Sequence, residues 1–167
     1  SLELYPFREM FKAGVGSVMI AHLFIPAIDN TANRATSLSY NNVTKLLREE
    51  LGYKGLTFTD ALEMQGVKKF FPDGEASAES LIAGNDMLCL PGDIPGSIEA
   101  IKKAIKKKKL SWKEVDERVK KVLHAKYAHG LSRWQPVNTH HLVRDLNAKT
   151  ADITKSIAEN AITTLRL

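Results

Sequence analysis

The chain has 167 residues, 44% of them hydrophobic and 26% charged, with a net charge of +5. That suffices for one domain with a real core and is too ordinary for a disordered or fibrous chain. No apolar stretch approaches the ~20 residues needed to span a bilayer, no signal-peptide pattern opens the sequence, and the single cysteine, Cys89, excludes an internal disulfide framework and reads as an inert core residue.

In chain order, residues 4–13 read as a helix, with Pro6 near its start, where proline is tolerated, and Gly14 as its stop. The apolar run 15–21 reads as a buried strand ending at His22. A long loop follows as far as Leu38. Ser39 is placed to cap a helix over 40–51, stopped by Gly52. Gly52 and Gly55 then introduce the short apolar run 56–58, which leads into Thr59 and Asp60. Such a run, bounded by turn residues, reads as a strand buried in a parallel sheet, here delivering a carboxylate at its C-terminal end. After a loop, residues 75–83 form a helix stopped by Gly84, 86–90 a third strand ending at Pro91-Gly92, and 94–107 a helix. Ser111-Trp112-Lys113-Glu114 has the capping-box pattern and opens a long helix towards His129, closed by Gly130. Residues 131–150 read as an extended linker, 151–160 as a helix, and 161–167 as the start of a strand or tail.

Strands alternating with helices predict an α/β fold, a parallel sheet covered on both faces. Three strands make an awkward free-standing sheet. They read instead as the C-terminal portion, about three β/α units, of a (β/α)8 barrel over residues 1–130, with 131–167 as a linker and the start of a following segment. Barrel chemistry occurs at the C-terminal ends of strands, so Asp60 is the candidate catalytic group; read alone, it is equally a cap for the next turn.

The positive excess is local. Lys102, Lys103, Lys106, Lys107, Lys108 and Lys109 accompany Ile98, Ile101, Ala104 and Ile105 at helical spacing, so they read as the solvated face and last turn of an amphipathic helix. No aromatic residues interleave them, and no nucleic-acid partner is expected. Neither a metal-ligand spacing nor a glycine-rich phosphate loop occurs, so no metal or cofactor is expected. Asp29 reads as a tie for its own loop, Glu63 as an organiser of the loop after Asp60, and Asp86 as structural.

The runs Thr36-Ser37-Leu38-Ser39, Leu46-Leu47-Arg48-Glu49-Glu50-Leu51-Gly52-Tyr53-Lys54-Gly55, Thr59-Asp60-Ala61-Leu62-Glu63-Met64 and Ala83-Gly84-Asn85-Asp86-Met87-Leu88-Cys89-Leu90-Pro91 together resemble glycoside hydrolase family 3. Met19-Ile20-Ala21-His22, Pro26-Ala27-Ile28-Asp29 and the stretch 156–165 extend the resemblance. It implies a retaining mechanism through a glycosyl-enzyme ester, with Asp60 as nucleophile. Ala61-Leu62-Glu63-Met64 resembles the β-N-acetylhexosaminidase branch, where many glucosidase-like members carry Trp after the Asp. That branch implies a carbohydrate substrate, terminal β-N-acetylglucosaminides of muropeptide or chitin type, no cofactor, and a place in peptidoglycan recycling.

The branch carries its acid/base histidine in a motif like Lys-His-Phe-Pro-Gly-His-Gly, absent from this sequence. The acid/base is therefore expected outside the chain, the isolated chain to be inactive, and its partner to be the missing upstream half or a second copy. A β-glucosidase or β-xylosidase of the same family, or a non-catalytic partial-barrel interaction module, are the alternatives. His22 reads as a sugar contact or partner of the site, or as a hydrogen-bonded histidine packing its loop. Met64 reads as a wall of the sugar pocket or as core filler. No membrane partner is expected, and the compartment is left open, bacterial cytoplasm or periplasm before secretion.

Overall fold

Three short strands, β1 (Ser17–Ile20), β2 (Leu56–Ala61) and β3 (Met87–Cys89), lie parallel and side by side in chain order. This computed structural model describes residues 2–72 and 74–163. The β1–β2 ladder runs from Ser17 opposite Leu56 to Ile20 opposite Thr59. Between β2 and β3, Phe58 faces Met87 and Ala61 faces Cys89, with a break in register between. The α/β reading holds, with helices connecting parallel strands.

One face of this sheet is covered and the other is open, where coverage of both was expected. Val18 and Ile20 pack with Val43 and Leu47 of the Asn41–Glu50 helix. Thr57 and Thr59 are fully buried on that same face, and Leu88 packs against residues of the Glu75–Ala83 helix. The opposite face carries Met19, Phe58 and Met87, none of which belongs to a core cluster. Side chains alternate along a strand, so the contrast between Ile20, 9% exposed, and its neighbour Met19, 64% exposed, is the contrast between the two faces.

The helices begin and end where local chemistry dictates. Ser39 is extended and its Oγ accepts from Asn42 N at 3.2 Å, capping the Asn41–Glu50 helix as expected. That helix is wound wide, in π fashion, and Leu51 N still reaches back five residues to Leu46 O at 2.9 Å. The Glu75–Ala83 helix lies between Gly74 and Gly84, both with positive φ. A Cβ on Gly84 would stand 2.5 Å from Thr44 Oγ1, so the bare backbone there lets the two helices approach, and Thr44 Oγ1 donates to Ala83 O at 2.7 Å. Asp93 caps the Ile94–Lys106 helix through Gly96 N at 2.9 Å. On that helix Ala104 is buried and the lysines are exposed, but Ile98, expected on the covered stripe, is 48% exposed. Both capping-box bonds between Ser111 and Glu114 open the Trp112–Ala128 helix.

Three further expectations need correction. A short helix, Gln65–Lys68, occupies the segment read as loop, because Val67 inserts into the core beside Leu38 and Leu62. Cys89 is half-buried rather than a core residue, since it pairs with Ala61 near the end of the open-faced strand. Residues 131–150 are not wholly extended: Leu131–Arg133 forms a 3-10 turn and Leu142–Leu146 a short helix.

The chain divides into two compact units, 1–129 and 130–167. The second, within the described residues, consists of that turn, the short helix and the Thr150–Ala161 helix, and buries no residue fully. The expected strand or tail at 161–167 falls largely outside the described residues.

At the N-terminal ends of the strands sits a buried charge knot. Asp86, its side chain 4% exposed, pairs with Arg48 at 2.6 Å and Lys121 at 2.7 Å and accepts from Thr57 N at 3.0 Å. Arg118 donates to Leu81 O and Asn85 O beside it. Asp86 is structural, as read from its position.

Candidate active site

The opposite, C-terminal end of the sheet gathers the sequence-predicted residues. Asp60 is the penultimate residue of β2 and is half-buried. Its Oδ1 accepts from the next amide, Ala61 N, at 2.8 Å. Among the described residues Asp60 makes no ion pair, and its Oδ2 makes no hydrogen bond. The carboxylate is thus held at one oxygen and left available at the other, on a rigid strand.

Immediately beyond it, the carbonyl of Ala61 is a junction. It accepts from Met64 N at 3.1 Å, closing a turn, and from the ring of His22 at 2.9 Å. A carbonyl only accepts, so His22 Nε2 carries the hydrogen. In the neutral ring Nδ1 then accepts from Ser37 Oγ, 2.6 Å away. Both ring nitrogens are engaged by the protein, so neither stands free for a sugar hydroxyl.

Ser37 itself is fully buried, unusual for a residue in a connection. The segment around it is tied down on every side. Thr36 N donates to Leu23 O at 2.7 Å and Thr36 Oγ1 to Ala21 O at 2.6 Å. Asn85 Nδ2 donates to Ser37 O at 2.8 Å and to Ser80 O at 3.0 Å. Ser37 and Asn85 escaped prediction as site-supporting residues. The available signal was the compact Thr36-Ser37-Leu38-Ser39 run, whose polar residues are buried where a loop would expose them.

Across the β2–β3 seam, Leu62 N donates to Cys89 O and Glu63 N to Leu90 O, each at 3.0 Å. Leu90 has φ 41, a left-handed conformation that costs a leucine about 1–2 kcal/mol. The seam bonds hold that strained corner beside the site. Met64 opens the Gln65–Lys68 helix and is 47% exposed, so it is not core filler. Asp29 ties its own loop, accepting from Thr31 N at 3.0 Å and Ser39 Oγ at 2.6 Å, and the Ser39 bond holds its carboxyl below the ordinary range. A cavity of about 360 Å³ opens beside His22, walled by Leu23, Phe24, Arg34 and Phe70. A larger one, about 660 Å³, lies between the Glu75–Ala83 and Ile94–Lys106 helices, away from Asp60. No cluster among the described residues is fit to hold a metal ion, and no helix among them is long and apolar enough to cross a membrane.

The sequence profile of the glycosyl hydrolase family 3 N-terminal domain matches residues 1–125. The chain belongs to glycoside hydrolase family 3. Among its relatives, β-hexosaminidase A of Pseudoalteromonas piscicida is 41% identical over 99 residues, covering 53% of this chain and 17% of that protein. The β-hexosaminidase of Vibrio cholerae serotype O1 is 36% identical over 96 residues, covering 57% of this chain and 28% of the relative. The solved structure of a family 3 β-N-acetylglucosaminidase from Paenibacillus superposes with a TM-score of 0.75 at 32% identity, covering 81% of this chain and 26% of that one. This family 3 chain therefore spans well under a third of the length of these relatives.

Proposed function

We propose that this chain supplies the nucleophile-bearing part of a retaining exo-β-N-acetylglucosaminidase. Residues 1–130 would form about three consecutive β/α units of a (β/α)8 barrel, with 131–167 leading into a following segment. The open face of the sheet, with Met19 64% exposed and Phe58 and Met87 outside the core clusters, supports a barrel interior. The relatives named β-hexosaminidase or β-N-acetylglucosaminidase support the sugar class.

The observation that carries the reading is Asp60 at the C-terminal end of β2, its Oδ1 fixed by Ala61 N and its Oδ2 unengaged. In the first step Oδ2 attacks the anomeric carbon as the glycosidic bond breaks, and an acid gives its proton to the departing oxygen. Water, deprotonated by the same group, then hydrolyses the ester. That acid/base would come from beyond these residues. A carboxylate held on a strand end loses little freedom on reaching the transition state. Met64, half-exposed on the same turn, would line the approach of the sugar.

The test treats the full gene product with a fluorinated N-acetylglucosaminyl inactivator and maps the adduct by mass spectrometry. A sugar ester on Asp60 is expected. Labelling of Asp60 by the glucosyl analogue alone would move the protein to the β-glucosidase branch. Labelling by neither would favour a non-catalytic module.

A further inference from the structure

We infer that His22 is a positioning residue for Asp60, acting through the Ala61 carbonyl; this rests on the assignment of Asp60 as nucleophile. The backbone ladder between β1 and β2 ends at Ile20 opposite Thr59. Asp60 and Ala61 project one and two residues past the last rung. There the His22 side chain takes over, spanning from the end of β1 to Ala61 O at 2.9 Å. Asp60 Oδ1 and the imidazole are bonded to the two sides of the same residue, to Ala61 N and Ala61 O. Fixing the carbonyl limits rotation about the Ala61 backbone, and so fixes the N–H that aims the carboxylate.

The imidazole is in turn aimed by Ser37 Oγ at 2.6 Å, in a segment anchored by Thr36 to Ala21 and Leu23 and by Asn85 from the start of β3. The turn bond from Met64 N to the same carbonyl is local and moves with the loop; the His22 bond ties the carbonyl to the segment that follows β1. A histidine that only filled space would not need a hydrogen-bond donor at Nε2. A positioning histidine does.

The experiment measures the rate of Asp60 labelling by the fluorinated inactivator in the full gene product and in His22→Phe and His22→Gln. Phe keeps the ring volume and removes the donor; Gln keeps an amide donor. His22→Phe should slow the labelling rate constant about tenfold or more, since small displacements of reacting groups carry large rate penalties, while the inactivator's dissociation constant stays within about twofold. His22→Gln should recover most of the loss. If Asp60 is labelled at an unchanged rate in His22→Phe, or if Phe and Gln lose equally, the positioning role is overturned while the nucleophile assignment stands. If the unaltered protein labels elsewhere than Asp60, both fall. Should His22→Phe not fold, Ser37→Ala leaves the ring in place and releases its aim; labelling slower by about two- to fivefold is expected, and an unchanged rate overturns the proposal.

Discussion

At the scale of single residues, the site end of the molecule is held by short polar side chains. Ser37, Ser39, Asn85 and Thr59 are all fully buried; the first three bond segments distant in sequence to one another, and Thr59 Oγ1 accepts from Cys89 N on the neighbouring strand. Asp29 belongs to this set, and its lowered pKa has a consequence. The Ser39 bond, and then the Thr31 bonds, favour the ionised form in the folded state. A carboxyl whose folded pKa is depressed stabilises fully above the unfolded value and loses that contribution as pH falls through the folded one. The melting temperature should therefore drop more steeply from about pH 5 to about pH 2 in the natural protein than in Asp29→Asn. Parallel acid branches in the two proteins would show that the Ser39 bond adds nothing. The local role of Asp29 was legible in the sequence, because an aspartate after a Pro-Ala-Ile turn bonds to nearby backbone. It did not reveal Ser37 or Asn85, whose bonds run to residues distant in sequence.

At the scale of elements, Asp86 joins three of them. It binds Arg48 on the Asn41–Glu50 helix, Lys121 on the Trp112–Ala128 helix and Thr57 on β2. Burial pulls the Lys121 ammonium below its usual range, and the Asp86 bond works against that pull. Removing one partner of a buried pair leaves the other charges uncompensated, which typically costs about 3–5 kcal/mol. Asp86→Asn should destabilise by about that amount in a urea titration, with Arg48→Met less damaging because Lys121 remains as counter-ion; a change below about 1 kcal/mol would mean that solvent already satisfies the knot. Element boundaries were readable wherever a terminator is chemically unambiguous. Gly84 stops the Glu75–Ala83 helix as read, and the Ser111–Glu114 box opens its helix where predicted. The wide winding of the Asn41–Glu50 helix was not readable, since apolar spacing alone does not distinguish bonds that reach back four residues from those that reach back five. Gln65–Lys68 was missed for a different reason: four residues are too few to show a period, and Val67 is held by tertiary burial.

At the scale of the whole described structure, a three-stranded parallel sheet with one bare face and two unpaired edges is an association surface. The isolated 167-residue chain should self-associate in light scattering, and Met19→Lys, which places a charge on that face, should raise the monomer fraction. A monodisperse monomer of the unaltered chain with a sharp thermal transition would overturn this. The parallel α/β class was legible from apolar runs alternating with helical periods. An exposed apolar face follows from reading three strands as part of a larger barrel; which face is bare was not readable, because a run such as 56–58 is equally apolar whichever surroundings it meets.

The order β1-β2-β3 also bears on how the sheet is made in time. Each strand pairs with the one synthesised just before it, and the covering helix is made in the interval between them. No pairing has to wait for a distant part of this segment, so the loops to be closed stay short and the search is sequential. The sheet can grow by accretion as the chain emerges, and the carboxylate at the end of β2 receives its supports from both sides, His22 from the strand already laid down and Cys89 O, through Leu62 N, from the one that follows.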